Sequence, residues 1–183
     1  MIATGFLSMW LSNTATAIMM LPIAYSVIHQ FGNVQPFSKN LMLGIAYAAS
    51  IGGMATLIGT PPNLILAGVI RDSFNIEISF FQWMLFGIPF AICMMAVAYF
   101  ILTRYKTVKT KERTIDLESL PAMSVAEKRV MIIFALTAFL WITRTFLFAD
   151  ILPRLDDTII AIFGAALVMI VPSGMGDGSL INW

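Results

Sequence analysis

Between Met1 and Ile70 the chain carries one charged residue, Lys39. A stretch of that length cannot form a water-facing domain, since soluble domains are about 25% charged. The rest of the chain is similar: 11% of its 183 residues are charged, 59% are hydrophobic, and the mean hydropathy is +0.87. The expected fold is all-α and polytopic, with the lipid bilayer as solvent. A net charge of +1 gives no reason to expect a nucleic-acid partner. Cys93 has no second cysteine to pair with and no His nearby, so it reads as a small buried residue. The start, Met1-Ile2-Ala3-Thr4-Gly5-Phe6, lacks the basic region of a signal peptide. The chain is apolar from its first residues and stops abruptly at Asn182-Trp183, so it reads as a piece of a longer protein.

Two polar stretches interrupt this apolar sequence, and both look like helix starts. The first is Ser12-Asn13-Thr14. The apolar runs before and after it, to Leu11 and on to about Ile28, are each too short for a span of about 20 residues. Residues 1–28 therefore read as a re-entrant helical hairpin with a polar tip. A single helix over 2–28 with a kink at Pro22 is the other reading of the same residues. Residues 29–40 are polar, with Gly and Pro, and read as a surface loop, with room for a short interfacial helix. His29, the only histidine, marks the membrane boundary there.

The second interruption lies within 41–71. One unbroken helix over 41–70 would be about 45 Å long, against a hydrocarbon core of about 30 Å. Gly52-Gly53, Gly59 and Pro61-Pro62 divide it. The expected parts are a helix to about Ile51, an unwound stretch over 52–60, and a second helix from Pro61. Thr60 is its N-cap and Pro61 its first-turn residue. Irregular backbone at membrane depth requires burial in protein or a cavity to line.

The remainder is plainer. Arg71, Asp72, Asn75 and Glu77 mark an exposed loop, and 80–103 is a full span with Trp83 as an interface anchor. A basic linker, 104–126, precedes spans at 127–149 and 157–172. Arg144 can snorkel outward or meet Asp150 in an outer turn that also holds Arg154, Asp156 and Asp157. Residues 172–183 form a Gly-rich stretch. Lysine and arginine concentrate on the side of loops 29–40 and 104–126, which the positive-inside rule makes cytoplasmic. The hairpin then enters from the cytoplasm, and both polar breaks lie near the midplane, where they can meet.

Two helix N-termini converging there favour an anion through their unpaired N–H groups and positive dipole ends. Unwound carbonyls and the oxygens of Ser12, Asn13 and Thr14 suit a hard monovalent cation such as sodium. This division of labour is that of secondary transporters with discontinuous helices. No Arg or Lys in this half can neutralise a bound dianion, so co-bound cations must help. The lack of a carboxylate at either tip argues against a proton relay.

Met9-Trp10-Leu11-Ser12-Asn13-Thr14-Ala15-Thr16-Ala17 with Met20-Leu21-Pro22 resembles the Ser-Asn-Thr signature of the divalent anion:sodium symporters, the dicarboxylate and sulfate carriers. Gly44-Ile45-Ala46-Tyr47, Ser50-Ile51-Gly52-Gly53 and Gly59-Thr60-Pro61-Pro62-Asn63 resemble the next motif of that family, in order and spacing. The resemblance covers essentially the whole chain. It implies two inverted repeats, each with a re-entrant hairpin and a broken helix, a homodimeric assembly and an elevator-like movement. Residues 1–103 would be the end of repeat one and 127–183 the truncated start of repeat two. Ser12, Asn13 and Gly59 would belong to a sodium site. Ser12, Asn13, Thr14, Thr60 and Pro61 would lie at the substrate carboxylate.

The chain holds one Ser-Asn-Thr, so it is expected to carry one sodium site at most and half of a substrate site. The reading is sodium-coupled symport of a dicarboxylate such as succinate across the plasma (inner) membrane. Sulfate or another divalent anion is the alternative, and a channel-type pore a further one. No nucleophile–base pair or metal-ligand cluster suggests an enzyme, and no cofactor is expected beyond sodium as co-transported ion.

Overall fold

The computed structural model describes residues 1–31, 35–104, 123–148, 156–173 and 180. The described residues form α-helices and connecting turns, with no strand element among them. Most of the basic linker, together with Asp150 and Arg154 of the expected outer turn, lies outside the described residues, as does most of 172–183.

Met1–Ile78 with the described part of Gln82–Asp116 form one compact unit. Its first elements are α1 (Ile2–Ser8) and α2 (Asn13–Gln30), separated by a turn over 9–12. The alternative of one continuous helix over 2–28 is thereby excluded. The break has a local cause. Ser12 adopts an extended ψ of 145° as N-cap, and its hydroxyl accepts a hydrogen bond from the Ala15 amide at 3.3 Å. Pro22 sits inside α2 without ending it.

Next, α3 (Gln35–Gly53) returns alongside, packing on both α1 and α2. Here the structure corrects the loop expected over 29–40. His29 and Gln30 complete α2, and 35–40 already belong to α3. Pro36 falls in the first turn, where a missing N–H costs little. Asn40 is tied down by its side-chain amide, which donates to the Leu102 carbonyl at 2.9 Å. A polar segment can thus be helical when its first turn tolerates proline and a side chain finds a backbone acceptor distant in the chain.

The inner face of α3 is built of small residues, with Gly44, Ala48, Ala49, Gly52 and Gly53 all buried. A Cβ on Gly52 would overlap the backbone of Gly5 in α1. Such close approach needs glycine at the contact. Residues 54–60 leave the helix, and α4 (Pro61–Phe74) begins after an extended Thr60 (φ −148°, ψ 141°). Arg71 and Asp72, expected in a loop, are in its last turn. The helix ends only at Asn75, whose left-handed backbone (φ 56°, ψ 32°) lets its N–H cap the Arg71 carbonyl at 2.9 Å.

α5 (Phe80–Thr103) is long and apolar enough to cross a membrane, at about 36 Å for ~1.5 Å per residue. Its Ala91 packs with Ile51 and Ala55 into the buried core of the unit. Its other faces expose Leu85, Phe86, Ile92, Phe100 and Ile101, an apolar surface that suits lipid or further protein rather than water. Cys93 is on such a face. It is exposed, contrary to the buried position expected for it, because a lipid-facing position satisfies a small thiol as well as a core does.

Ser79–Phe81 with the described part of Leu117–Trp183 form the second unit. α6 (Val125–Thr143) opens with a capping box. The Ser124 hydroxyl accepts from the Glu127 amide at 3.2 Å, and Glu127 accepts from the Ser124 amide at 2.7 Å. A π-helical turn, Arg144–Phe148, extends it, and Val125–Phe148 is the second segment long and apolar enough to cross a membrane. α7 (Asp157–Ile170) is capped by Asp156, which accepts from the Ile159 amide at 2.7 Å. Arg144 pairs with Asp157 at 3.0 Å. The other Asp157 oxygen accepts from the Phe80 amide at 2.9 Å, and the Asp157 carbonyl accepts from the Trp141 indole at 3.0 Å. Phe80 stacks on Trp141 at 4.8 Å. One carboxylate therefore fixes three segments of this unit.

Candidate functional site

The two polar breaks come together in the first unit. α2 has 18 residues and α3 has 19, or about 27 and 28 Å at ~1.5 Å each. Near-equal antiparallel lengths bring the start of α2 level with the end of α3. Asn13 of the first break lies against Gly53 of the second, where a Cβ would overlap the Asn13 Oδ1 and stand 3.1 Å from its Cγ. Glycine at 53 is thus required by a side chain that reaches across from the other break.

Hydrogen bonds join the same two segments. The Thr56 hydroxyl donates to the Met9 carbonyl and accepts from the Gly59 amide at 3.1 Å. Asn63, almost fully buried, donates through Nδ2 to the Gly53 carbonyl at 2.9 Å and the Thr56 carbonyl at 2.7 Å. Gly59 packs directly on Gly53, and a Cβ there would stand 2.5 Å from the Gly53 oxygen. The irregular stretch is therefore held by its own Thr and Asn, and the turn before α2 is tied to it.

Ser8, the last residue of α1, is fully buried beside Asn13. Its Oγ is 2.8 Å from Asn13 Oδ1 and 2.6 Å from the Ala49 carbonyl oxygen. A hydroxyl has a single proton, so it can satisfy one of these oxygens but not both. Two readings solve the shortage. Either the Asn13 amide turns its NH2 toward Ser8, or a cation sits where the proton is missing. No Asp, Glu, Lys or Arg takes part in this cluster. Among the described residues there is no group of His, Cys, Asp or Glu that could hold a metal ion, so any cation here rests on neutral oxygens.

The structure also changes the donor and acceptor inventory expected at the two helix starts. Helices ordinarily leave four N–H groups unpaired at their beginning. In α4 the first two residues, Pro61 and Pro62, have none, and the Asn63 amide bonds to the Thr60 carbonyl at 3.1 Å. What α4 offers an anion is mainly the positive end of its dipole. At α2 the Ala15 and Thr16 amides bond to Ser12. Among the described residues, the amides of Asn13 and Thr14 have no such acceptor. Carbonyls in the unwound stretch are likewise less available than expected: those of Gly53 and Thr56 accept from Asn63, and that of Met54 from the Trp83 indole at 3.0 Å. Trp83 thus braces the break.

Of the residues expected at the site, Asn13 and Gly59 are both seated on Gly53. Ser12 and Thr14 begin α2 and are exposed. Thr60 and Pro61 begin α4 after Gly59, with Thr60 partly exposed and Pro61 exposed. Reasoning from sequence passed over Ser8, Thr56 and the buried role of Asn63. Their one signal was that each is a small polar residue in apolar sequence within a few positions of a break.

Comparison with known proteins comes to the same region of protein space. A match to the citrate transporter family, CitMHS, covers residues 1–177. The chain is 39% identical to a sodium-dependent dicarboxylate transporter, SdcS, of Staphylococcus saprophyticus, and 39% identical to the SdcS of Staphylococcus aureus strain USA300. In each case the alignment covers 94% of this chain and 37% of the relative. The chain thus spans little more than a third of the length of these relatives, which are transporters by name and not enzymes.

Proposed function

The chain belongs to the citrate transporter family, and on that premise we propose that it is part of a sodium-coupled carrier for dicarboxylates such as succinate. The observation that carries the reading is the cluster in which Asn13, Ser8 and Gly53 join the two breaks with one proton too few for its oxygens. Sodium binds between the Asn13 and Ser8 oxygens, with Ser12 and Gly59 at the same site. The dianion lies outside it, at the start of α2. The Asn13 and Thr14 amides and the Ser12 and Thr14 hydroxyls face its carboxylate, and Thr60 and Pro61 bring the dipole end of α4. With no basic side chain in the cluster, the bound sodium supplies the compensating positive charge. Anion affinity therefore depends on sodium.

The depth of the site supports this role. The outer turns of α2 and α3 carry Ser26, His29, Gln30, Gln35, Ser38, Lys39 and Asn40. Placing these polar turns at the interface leaves about 18 Å of apolar helix below the breaks, close to half of a ~30 Å core. In this arrangement α1 and α2 form a re-entrant hairpin opening to the cytoplasm, and α3 and α4 form one broken crossing. The α2–α3 connection and the basic linker 104–126 are cytoplasmic, and the membrane is the plasma (inner) membrane. Residues 1–103 close the first inverted repeat, 127–183 begin the second, and the full-length protein is a homodimer.

The test is uptake by the full-length protein in liposomes, with succinate, sulfate and citrate offered separately. Succinate uptake should follow an inward sodium gradient and stop in potassium. Preference for sulfate would move the substrate to the other divalent anion. Conduction without sodium would replace the carrier by a pore. Asn13→Ala should abolish the sodium-dependent part.

A further inference from the structure

One side of α3 is left open by its neighbours. Gly52 lies against Gly5 of α1, and the Ala49 carbonyl accepts from Ser8 of α1. Gly53 lies against Asn13 of α2, and Ile51 packs with Ala91 of α5. The remaining side carries Tyr47 and Ser50, three apart on one helix face and both exposed. Neither hydroxyl makes a hydrogen bond among the described residues. Thr103, Thr137 and Thr143, by contrast, each bond back to the carbonyl four residues earlier.

This open side is also the side of Thr14. From the Asn13–Gly53 contact, Ser50 is turned by about 60° on α3 and Thr14 by about 100° on α2, at ~100° per residue. In an antiparallel pair of right-handed helices these turns run to the same side, away from α1. Along the axis Ser50 stands about 4.5 Å and Tyr47 about 9 Å from the level of Gly53, toward the polar outer turns. At that depth lipid offers a hydroxyl no partner, and a serine is too short to reach the interface. At the level where its Ala91 packs with Ile51, α5 exposes Phe86, Phe90 and Ile92 instead, the side chains that lipid favours.

Resting on the anion site proposed above, we propose that Ser50 is a further anion-binding residue, with Tyr47 one turn beyond it toward the α2–α3 connection. The two hydroxyls face water while the site is empty. When a dicarboxylate is bound, the Ser50 hydroxyl donates to a carboxylate oxygen beside Thr14. A neutral donor suits this place, because it favours the anion without holding it as tightly as a fixed positive charge would.

The test uses full-length protein in lipid nanodiscs, with every native cysteine, Cys93 included, replaced by serine. Ser50→Cys in this background should react with a charged, water-soluble methanethiosulfonate. Succinate at ten times its Kd should slow that reaction roughly tenfold by mass action, in sodium and not in choline. Tyr47→Cys is read in the same way if the Ser50 variant does not fold. Ser50→Ala, measured by calorimetry at saturating sodium, should bind succinate about tenfold more weakly, the worth of one hydrogen bond to a charge. Its stabilisation by sodium alone should equal that of wild type. Reaction only with a lipid-soluble maleimide, or with neither reagent, would place Ser50 against lipid or protein and overturn the proposal. So would labelling indifferent to succinate, or an unchanged succinate Kd in Ser50→Ala, in protein that still binds succinate with sodium; the sodium-coupled reading would then stand. A wild-type protein that binds no succinate in sodium overturns both.

Discussion

Replacing Gly53 by alanine places one methyl group between the two breaks. The new Cβ would overlap Asn13 Oδ1 and approach its Cγ at 3.1 Å. The Gly53 carbonyl is pinned by Asn63 at 2.9 Å and Gly59 packs on the other side. The backbone is therefore poorly placed to yield, and the Asn13 side chain must swing away by roughly 1 Å to restore ordinary contact. Crowding of this kind costs about 1–3 kcal/mol of stability. The displaced amide also loses its place as an oxygen ligand, and an interaction with a charge is worth about 1.5–3 kcal/mol. At 1.4 kcal/mol per tenfold, the sodium concentration for half-maximal effect should rise by roughly 10- to 100-fold. The assay is sodium titration of thermal stability, read beside that of Gly52→Ala. The Gly52 methyl would strike the Gly5 backbone instead, so that variant should lose stability at every sodium concentration. A Gly53→Ala protein with wild-type sodium dependence would show that Asn13 is not a ligand.

Other changes follow from the same contacts. Asn63→Ala removes the donor shared by two buried carbonyls and should lower stability by about 2–4 kcal/mol, measured by denaturant or thermal unfolding in micelles. Asn63→Asp should fail nearly as badly, because a carboxylate cannot donate. Gly68→Ala meets nothing within 4 Å and should stabilise α4 by about 0.5–1 kcal/mol, leaving sodium dependence untouched. Asp157→Asn breaks the 3.0 Å contact with the Arg144 cation, whose side chain is 17% exposed. The loss should be about 1–3 kcal/mol, discounted for that exposure, measured by thermal unfolding.

Much of the first unit was legible because its breaks are chemical. Ser12 caps α2, and Gly52-Gly53 with Thr60-Pro61 divide α3 from α4, since capping oxygens and proline act through local backbone geometry. The family resemblance read from Ser12-Asn13-Thr14 is borne out by the match over 1–177 and by the staphylococcal relatives. What sequence did not reveal depends on partners distant in the chain. Polarity suggested a loop at 35–40, but Asn40 finds its acceptor at Leu102. The pairing of Arg144 with Asp157 depends on α7, which brings that carboxylate to both Arg144 and the Phe80 amide. Ser8 and Thr56 gain meaning only once the two breaks touch. The number of amides open to an anion could have been read in advance, because two prolines at the start of α4 remove two of them.

The central claim is that anion binding at these breaks requires sodium, because neutral oxygens and helix ends alone face the dianion. Succinate binding to the full-length protein, measured by titration calorimetry in sodium and again in choline, tests this directly. Saturable binding is expected in sodium, none in choline, and none in either salt for Asn13→Ala. Equal succinate affinity in sodium and choline would contradict it.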